Sequence, residues 1–588
     1  MLTNHDVSSV FLIHHLKKVN KLSISASQRS IQHHVYVTYS SFIISHSSLK
    51  KVNIQKRSKK IMSTKRKYWG WGYEGEGPEA AVIAQTRTTL KAMFQIKELE
   101  QVSPIPLEDL QLRPARFKLP AHLEKICTDQ VADRAARSYG KSFRDVWRGL
   151  HGQFDNPPDY VAYPTTEEEI QALMTFASKE QISLVPFGGG SSVSGGVEPT
   201  IDSKYQGVIT VDMRHFDKIL HVDKQSRAAN IQGGIFGPAL EKGLRPHGLT
   251  LRHYPQSFEF STLGGWIATR SGGHFATLYT HIDEFVQGVR MVTPSGIMES
   301  RRLPGHGAGP SEERLVAGSE GIFGIITSAW MRLQDIPKFK LTKTIQFKDF
   351  FQAVEATRQL SQSGLFPTNA RLVDPMEAFS NGLGDGSATM VIVGFESHQH
   401  AVDGMMMEAM KICTDVGGKP VEEKLKDGRS KKADAWKKSF LKAPYLRDEL
   451  MKDGFVVETF ETAITWDQFE SFHKNVKAAT QQAVNEYCGI GTVTCRFTHL
   501  YPDGPAPYYT VIAKGTSGKQ MEQWDAIKKA ASKAIIENGG TITHHHAVGK
   551  DHQPYYAQQQ SDIFGTAIRA VKDRLDPKGI MNPEVLIK

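Results

Sequence analysis

The sequence predicts an α+β protein with two principal domains, and three observations carry that expectation. Short apolar strands alternate with an amphipathic helix just ahead of a glycine run at residues 188–190, the texture of an α/β nucleotide-binding unit. Beyond about residue 340 the texture changes to longer strands, such as 388–395, separated by helices rich in Lys, Glu and Met, which suits an antiparallel sheet with helices beside it. A length of 588 residues exceeds what one hydrophobic core holds.

Taken in order, residues 1–61 form a basic tail. They hold ten Lys or Arg against one acid, Asp6, so +9 of the net charge of +10 lies there. The remainder is nearly neutral, which excludes a basic stripe for a nucleic-acid backbone. Rich in Ser, His and Lys and lacking Gly and Pro, the tail reads as disordered or as a targeting segment, with a translation start at Met62 as an equal alternative. Residues 62–153 carry a helical region, with Leu90, Met93, Phe94 and Ile96 on related faces of a helix over 86–100. Residues 154–336 hold the α/β body. It starts with a strand at 160–163, continues with a helix that Thr166 and Glu169 cap, with Ile170, Leu173, Met174 and Phe176 on one face, and adds a strand at 182–185. Residues 337–540 form the second domain, in which the charged stretch 422–438 reads as a mobile loop. Residues 541–588 return to the first domain through a histidine-rich turn, a helix over 562–576 and a terminal strand. No apolar stretch approaches the roughly 18–20 residues that a membrane-spanning helix requires. Four cysteines without C-x-x-C spacing exclude a zinc knuckle, a dithiol redox centre and a disulfide framework, so the chain reads as intracellular.

The run Pro186-Phe187-Gly188-Gly189-Gly190-Ser191-Ser192 follows its strand directly. Glycines carry no Cβ and accept positive φ, so consecutive backbone N–H groups can turn inward around a phosphate or pyrophosphate. Taken alone, a ligand-free surface turn explains the run as well. The spacing is not the G-x-G-x-x-G of a dinucleotide fold.

Two further segments lie downstream: Pro255-Gln256-Ser257-Phe258-Glu259-Phe260-Ser261, continuing to Ala268-Thr269-Arg270-Ser271, and Ser319-Glu320-Gly321-Ile322-Phe323-Gly324-Ile325. In this order the three resemble the FAD-binding domain of the vanillyl-alcohol oxidase and para-cresol methylhydroxylase (PCMH) type, over roughly residues 154–336. The resemblance implies a two-subdomain PCMH-type FAD-binding domain followed by an α/β cap domain with an antiparallel sheet. It also implies that residues 186–192 hold the pyrophosphate, that 255–261 and 268–271 line the flavin, and that 319–325 close on it. No histidine for covalent attachment can be placed, so the FAD is expected to be non-covalent.

From about residue 65 to the end the chain resembles the alkyldihydroxyacetone-phosphate synthases and, less closely, bacterial-type FAD-linked oxidases. The segments that carry this are 369–374, 445–448, 458–462, Thr494-Cys495-Arg496, Tyr508 and His544-His545-His546-Ala547-Val548-Gly549-Lys550. The resemblance implies exchange of the acyl group of acyl-dihydroxyacetone phosphate for a long-chain fatty alcohol, with no net redox change. Tyr508 then matches the acid/base, and because a phenol titrates near about 10 it needs cationic or hydrogen-bonding neighbours, which His544, His545 and His546 could supply. If the triplet is a strand, His544 and His546 face the flavin together or His545 faces it alone. Arg447 matches the residue that grips the substrate phosphate, and Arg371 a catalytic guanidinium nearer the flavin. No metal is expected, although the triplet with a carboxylate could hold a divalent ion, as in the alternative reading of a flavin-linked 2-hydroxy-acid dehydrogenase or oxidase. Ala547 stands where these synthases usually have Gly, and 550–556 resembles the bacterial-type relatives. The resemblance further implies a peroxisomal homodimer with peripheral membrane contact. The peroxisomal address is only a near miss, since Arg29 stands where Leu or Ala is expected, which leaves cytoplasmic and mitochondrial locations open.

Overall fold

The computed structural model describes residues 65–275, 277–422 and 431–587, with side chains at 431–440 excepted. The basic tail at 1–61 and the 423–430 part of the expected loop lie outside the described residues. Residues from Arg66 onward form one compact unit.

A first sheet holds β1 (Cys127–Thr128), β2 (Tyr160–Ala162), β3 (Ile182–Phe187) and β4 (Gly207–Asp212) in the order β1-β2-β4-β3. β4 runs parallel to both β2 and β3, so the first β-α-β crossover leaves a gap that β4 fills. Every residue of β4 is buried, as expected of a strand covered on both faces. The helix between β2 and β3, Glu167–Glu180, buries Ile170, Leu173, Met174 and Ala177. Thr166 caps it at the Glu169 amide, while the Glu169 carboxylate reaches back to Thr165, one residue earlier than a capping box requires.

The second sheet runs β5-β6-β10-β8-β9, from β5 (Ile219–Asp223), β6 (Ala228–Gln232), β8 (Val286–Thr293), β9 (Gly296–Glu299) and β10 (Ile325–Arg332). A two-stranded ladder pairs β7 (Leu249–Thr250) with β11 (Gln334–Asp335). The third sheet has seven strands in the order β15-β12-β14-β13-β17-β18-β16. They are β12 (Phe339–Phe347), β13 (Asn369–Val373), β14 (Thr389–Ser397), β15 (Lys419–Pro420), β16 (Phe455–Glu461), β17 (Gly491–Leu500) and β18 (Pro505–Lys514), and all their pairings are antiparallel. The helices Trp466–Cys488 and Gln520–Glu537 join Phe460, Val493 and Tyr509 of this sheet in the largest apolar core.

Three expectations change. The helix predicted over 86–100 occupies Ala80–Met93 instead, stopped by Gln95 in the left-handed region at φ 52°. The charged stretch predicted as a loop is helical from Lys431, in a helix reaching Lys452 with Pro444 inside it. Among the described residues no terminal strand forms: Met581 makes a single bridge to Leu184, and left-handed φ at Asn582, Glu584 and Leu586 breaks any continuation. The helix expected over 562–576 spans Asp562–Leu575.

Candidate active site

A cavity of about 670 Å³ joins the glycine loops to the face of the third sheet. At one end the run after β3 packs against the segment 260–262. A Cβ on Gly189 would sit 1.8 Å from the Phe260 carbonyl oxygen, and Gly190 has φ +66°, so neither position tolerates a side chain without displacement. The third segment closes on the first, because a Cβ on Gly321 would sit 2.9 Å from Pro186. All three glycine-bearing segments therefore meet at one wall, a bare-backbone cradle of the kind a diphosphate occupies. Pro186, Phe187, Gly188, Gly189, Gly190, Ser191 and Ser192 line it, with Pro255, Gln256, Ser257, Ser261, Ala268, Thr269, Ser271, Glu320, Gly321, Gly324 and Ile325.

Seven of the expected cofactor residues stand behind that wall. Phe258 stacks on Trp266, Ile322 and Phe323 belong to the core beneath, and Ser319 is buried off the cavity. Arg270 turns outward to Asp283. Glu259 meets the Tyr445 hydroxyl. Phe260 anchors an N-terminal segment instead: the rings of Trp71 and Tyr73 lie against it edge-on, and the Arg66 guanidinium sits 4.9 Å from its centroid.

At the other end the sheet supplies side chains in ranks. Register places Glu461 of β16 and Arg496 of β17 directly opposite Tyr508 of β18. Residues opposite one another on adjacent antiparallel strands share a face, so the three form one rank. Thr459, Thr510 and Thr494 form the next, and Val457, Ile512 and Thr492 the one after. Apart from Glu461, which stands behind His545 and His546, all of these residues line the cavity. Polarity therefore falls with distance from Tyr508, and Leu90, Met93, Leu446 and Leu450 complete the apolar end.

Tyr508 is buried, which pushes its phenol above the ordinary value, and Arg496 opposes that shift. The Arg496 guanidinium lies 3.7 Å from the Tyr508 ring centroid and donates to the Glu377 carboxylate at 2.5 Å. The cation beside the phenol is thus Arg496. The histidines do not carry the charge, because burial lowers all three imidazoles, His546 to about 3.

The triplet is a bend, not a strand. Its backbone wraps the Glu461 carboxylate, which accepts the N–H groups of His544 (2.6 Å), His545 (3.0 Å) and His546 (2.8 Å) and the Thr543 hydroxyl (2.6 Å). Glu461 is held well below the usual carboxylate range despite full burial, through its mutual coupling with the three imidazoles, which it raises in turn, and through the Thr543 hydroxyl. The bend overturns the alternation expected of a strand: His545 and His546, adjacent in sequence, both line the cavity. His544 turns away to Tyr501 (2.7 Å) and His281 (3.0 Å). Ligand atoms of His499, His544 and His545, and of Glu461, His545 and His546, lie within 4.8 Å of one another, a spacing that suits a divalent ion.

Two carboxylates grip this C-terminal segment. Glu320, from the third glycine-bearing segment, accepts the N–H groups of Val548 (2.8 Å) and Gly549 (2.7 Å), and burial pushes it up to about 7. Between these two anchors Ala547 adopts φ 71°, the left-handed region.

Arg447 lines the cavity from the helix Lys431–Lys452, but its terminal nitrogens are engaged by the Lys141 carbonyl (2.6 Å) and Asp448 (3.1 Å). Arg371 does not reach the cavity surface. It is fully buried in β13, donates to Asn369 and to the His274 carbonyl, and is lowered to about 9 by burial and by Arg496. Sequence reasoning assigned no role to Arg496, Glu461, Glu377 or Lys141. The first two stand in segments that carry the family resemblance, and only strand register reveals their partners.

Residues 158–300 match the family described as FAD binding domain, and residues 336–586 the family described as FAD linked oxidases, C-terminal domain. The alkyldihydroxyacetonephosphate synthase of Dictyostelium discoideum is 30% identical over 528 residues, 83% of this chain and 84% of that one. The enzyme of the same name from Trypanosoma brucei brucei is 29% identical over 77% of each chain. A solved alkyldihydroxyacetonephosphate synthase structure superposes with a TM-score of 0.73 at 27% identity, covering 88% of this chain and 97% of that one. These relationships, with the cradle and the tyrosine rank at the two ends of one cavity, make the chain an FAD-dependent enzyme that belongs to the alkyldihydroxyacetonephosphate synthase family.

Proposed function

We propose that the protein exchanges the acyl group of acyl-dihydroxyacetone phosphate for a long-chain fatty alcohol. The observation that carries this reading is the polarity gradient of the sheet face: the phenol and guanidinium of the Tyr508 rank give way over two ranks to an apolar end. A molecule with a charged head and a long aliphatic tail fits that gradient, and a small hydroxy acid does not use its far end.

When bound, the flavin, held without a covalent bond, supplies an electrophilic carrier for an exchange without net redox change. Tyr508, neutral because it is buried, moves the proton at the carbon beside the ketone. To accept that proton it first gives its own to a neighbouring neutral imidazole, His545 or His546, and Arg496 lowers the cost of the resulting phenolate. Neutral His545 and His546 offer hydrogen bonds to the substrate oxygens, their orientation fixed by Glu461. Arg447 faces the phosphate. Arg371, out of reach of the substrate, braces β13 behind Arg496.

The purified flavoprotein should consume a fatty alcohol and release a fatty acid with no electron acceptor present. Reduction of a dye by glycolate or D-lactate, with no such exchange, would overturn the reading. That second reading, a hydroxy-acid dehydrogenase, draws its support from the His/Glu grouping and further requires that a chelator abolish the dye reaction. A homodimer, a peroxisomal location and peripheral membrane contact belong to the same proposal, testable by light scattering, fractionation and vesicle flotation. Among the described residues no helix is long and apolar enough to cross a membrane.

A further inference from the structure

Lys141 is 5% exposed and lines the cavity where the glycine run meets the helix Lys431–Lys452. Two contacts fix its backbone there: its N–H donates to the Ser192 carbonyl at 2.5 Å, and its own carbonyl accepts from Arg447 at 2.6 Å. Its side chain differs from other buried and half-buried cations. Arg134, Arg144, Arg148, Lys528 and Lys572 each bond a named carboxylate or carbonyl. Among the described residues the Lys141 ammonium has neither an ion-pair partner within 4.0 Å nor a hydrogen-bond acceptor.

A buried ammonium without a partner is costly and persists where a ligand completes it. The surroundings specify an anion. Arg66 donates to the Gly189 carbonyl at 3.1 Å, so it too stands at the glycine run, and Arg447 stands on the other side of Lys141. Arg447 is itself committed, its terminal nitrogens going to Lys141 and Asp448. Of the three cations, Arg66 and Arg447 are engaged through their terminal nitrogens, with the buried Nε of Arg447 left open, and the ammonium of Lys141 has no acceptor among the described residues. Burial first, and then Arg66, depress the ammonium to about 8, and Asp145 and Asp448, neither within ion-pair distance, offset them only in part.

We propose that Lys141 is the charged wall of a phosphate subsite, with its backbone held in place by Ser192 and Arg447. The ligand chemistry is a phosphoryl oxyanion, supplied either by the flavin diphosphate or by the phosphate of the substrate. This rests on the flavoprotein assignment and not on the exchange reaction, because neither probe below turns over.

The test uses the full-length chain with Lys141→Met, and with Lys141→Arg as the charge-retaining control. One arm measures FAD rebinding to deflavinated protein, with riboflavin as a phosphate-free comparison. The other measures perturbation of the bound-flavin spectrum by inorganic phosphate. If the flavin is the source, FAD binding weakens at least tenfold in Lys141→Met while riboflavin binding is unchanged. If the substrate is the source, FAD is retained and inorganic phosphate binds at least tenfold more weakly. Lys141→Arg should preserve whichever affinity falls. Unchanged affinity in both arms, or an equal loss in Lys141→Arg, overturns the proposal. Should the Met variant prove insoluble, Lys141→Gln carries the same readouts, and the same outcomes support or overturn the proposal.

Discussion

The two ends of the cavity are built from opposite materials. At the glycine end, backbone amides and bare Cα positions form the wall, and Gly189 and Gly190 matter for the atoms they lack. At the sheet end the wall is made of side chains: Arg496 and Glu461 stay charged against burial, and burial keeps the Tyr508 phenol neutral. The first end is built from three contiguous runs of backbone. The second is assembled by strand register.

Replacing the phenol sharpens this contrast most. Tyr508→Phe should lower exchange by roughly 10²–10⁴-fold with flavin content unchanged, measured as turnover per bound flavin; normal turnover would remove Tyr508 from the chemistry. Glu461→Gln comes next. It leaves three amides and a hydroxyl around a neutral acceptor, at a cost of about 3 kcal/mol in urea unfolding, together with a fall in activity as the imidazoles lose their orientation. Its pH signature has a fixed sign. The folded state holds Glu461 below its ordinary 4.5, so its stabilisation is present above pH 4.5 and is lost as pH falls through the lower folded value.

Glu320 behaves in the opposite way, which sets the third effect. Its folded value, raised to about 7, gives stability that is complete below pH 4.5 and lost as pH rises through about 7, on the order of 3 kcal/mol. In Glu320→Gln the decline between pH 4.5 and 7 should vanish; an unaltered decline would break the assignment. Gly189→Ala should cost about 1–3 kcal/mol of folding and yield protein depleted in flavin, read from the yellow absorbance. The smallest effect is Ala547→Gly, which relieves a left-handed alanine and should stabilise by about 1 kcal/mol.

The same contrast explains what the sequence made legible. The cradle was readable because its three segments are contiguous runs whose chemistry lies in the backbone. Residues 186–192 and most of 255–261 and 268–271 line the cavity. The failures are local: Arg270 turns outward by taking the left-handed region at φ 49°, and Phe260 serves the N-terminal segment. At the sheet end, period-two alternation was the wrong rule for His544, His545 and His546, since a buried carboxylate bends the chain there and no pattern within the triplet signals it. The proximity of Arg496 to Tyr508 is a fact of β17–β18 register, invisible until the strands are paired. Lys141 gave no signal at all, because a lysine after a glycine is ordinary in sequence and unusual only by burial.

The segment 543–549 is moored at both ends, by Glu461 of the large sheet and by Glu320 of the loop beside Pro186. A tie of this kind works like a spacer bar between two walls. Breathing of the sheet away from the glycine-bearing loops must stretch carboxylate–amide bonds before it can widen the gap.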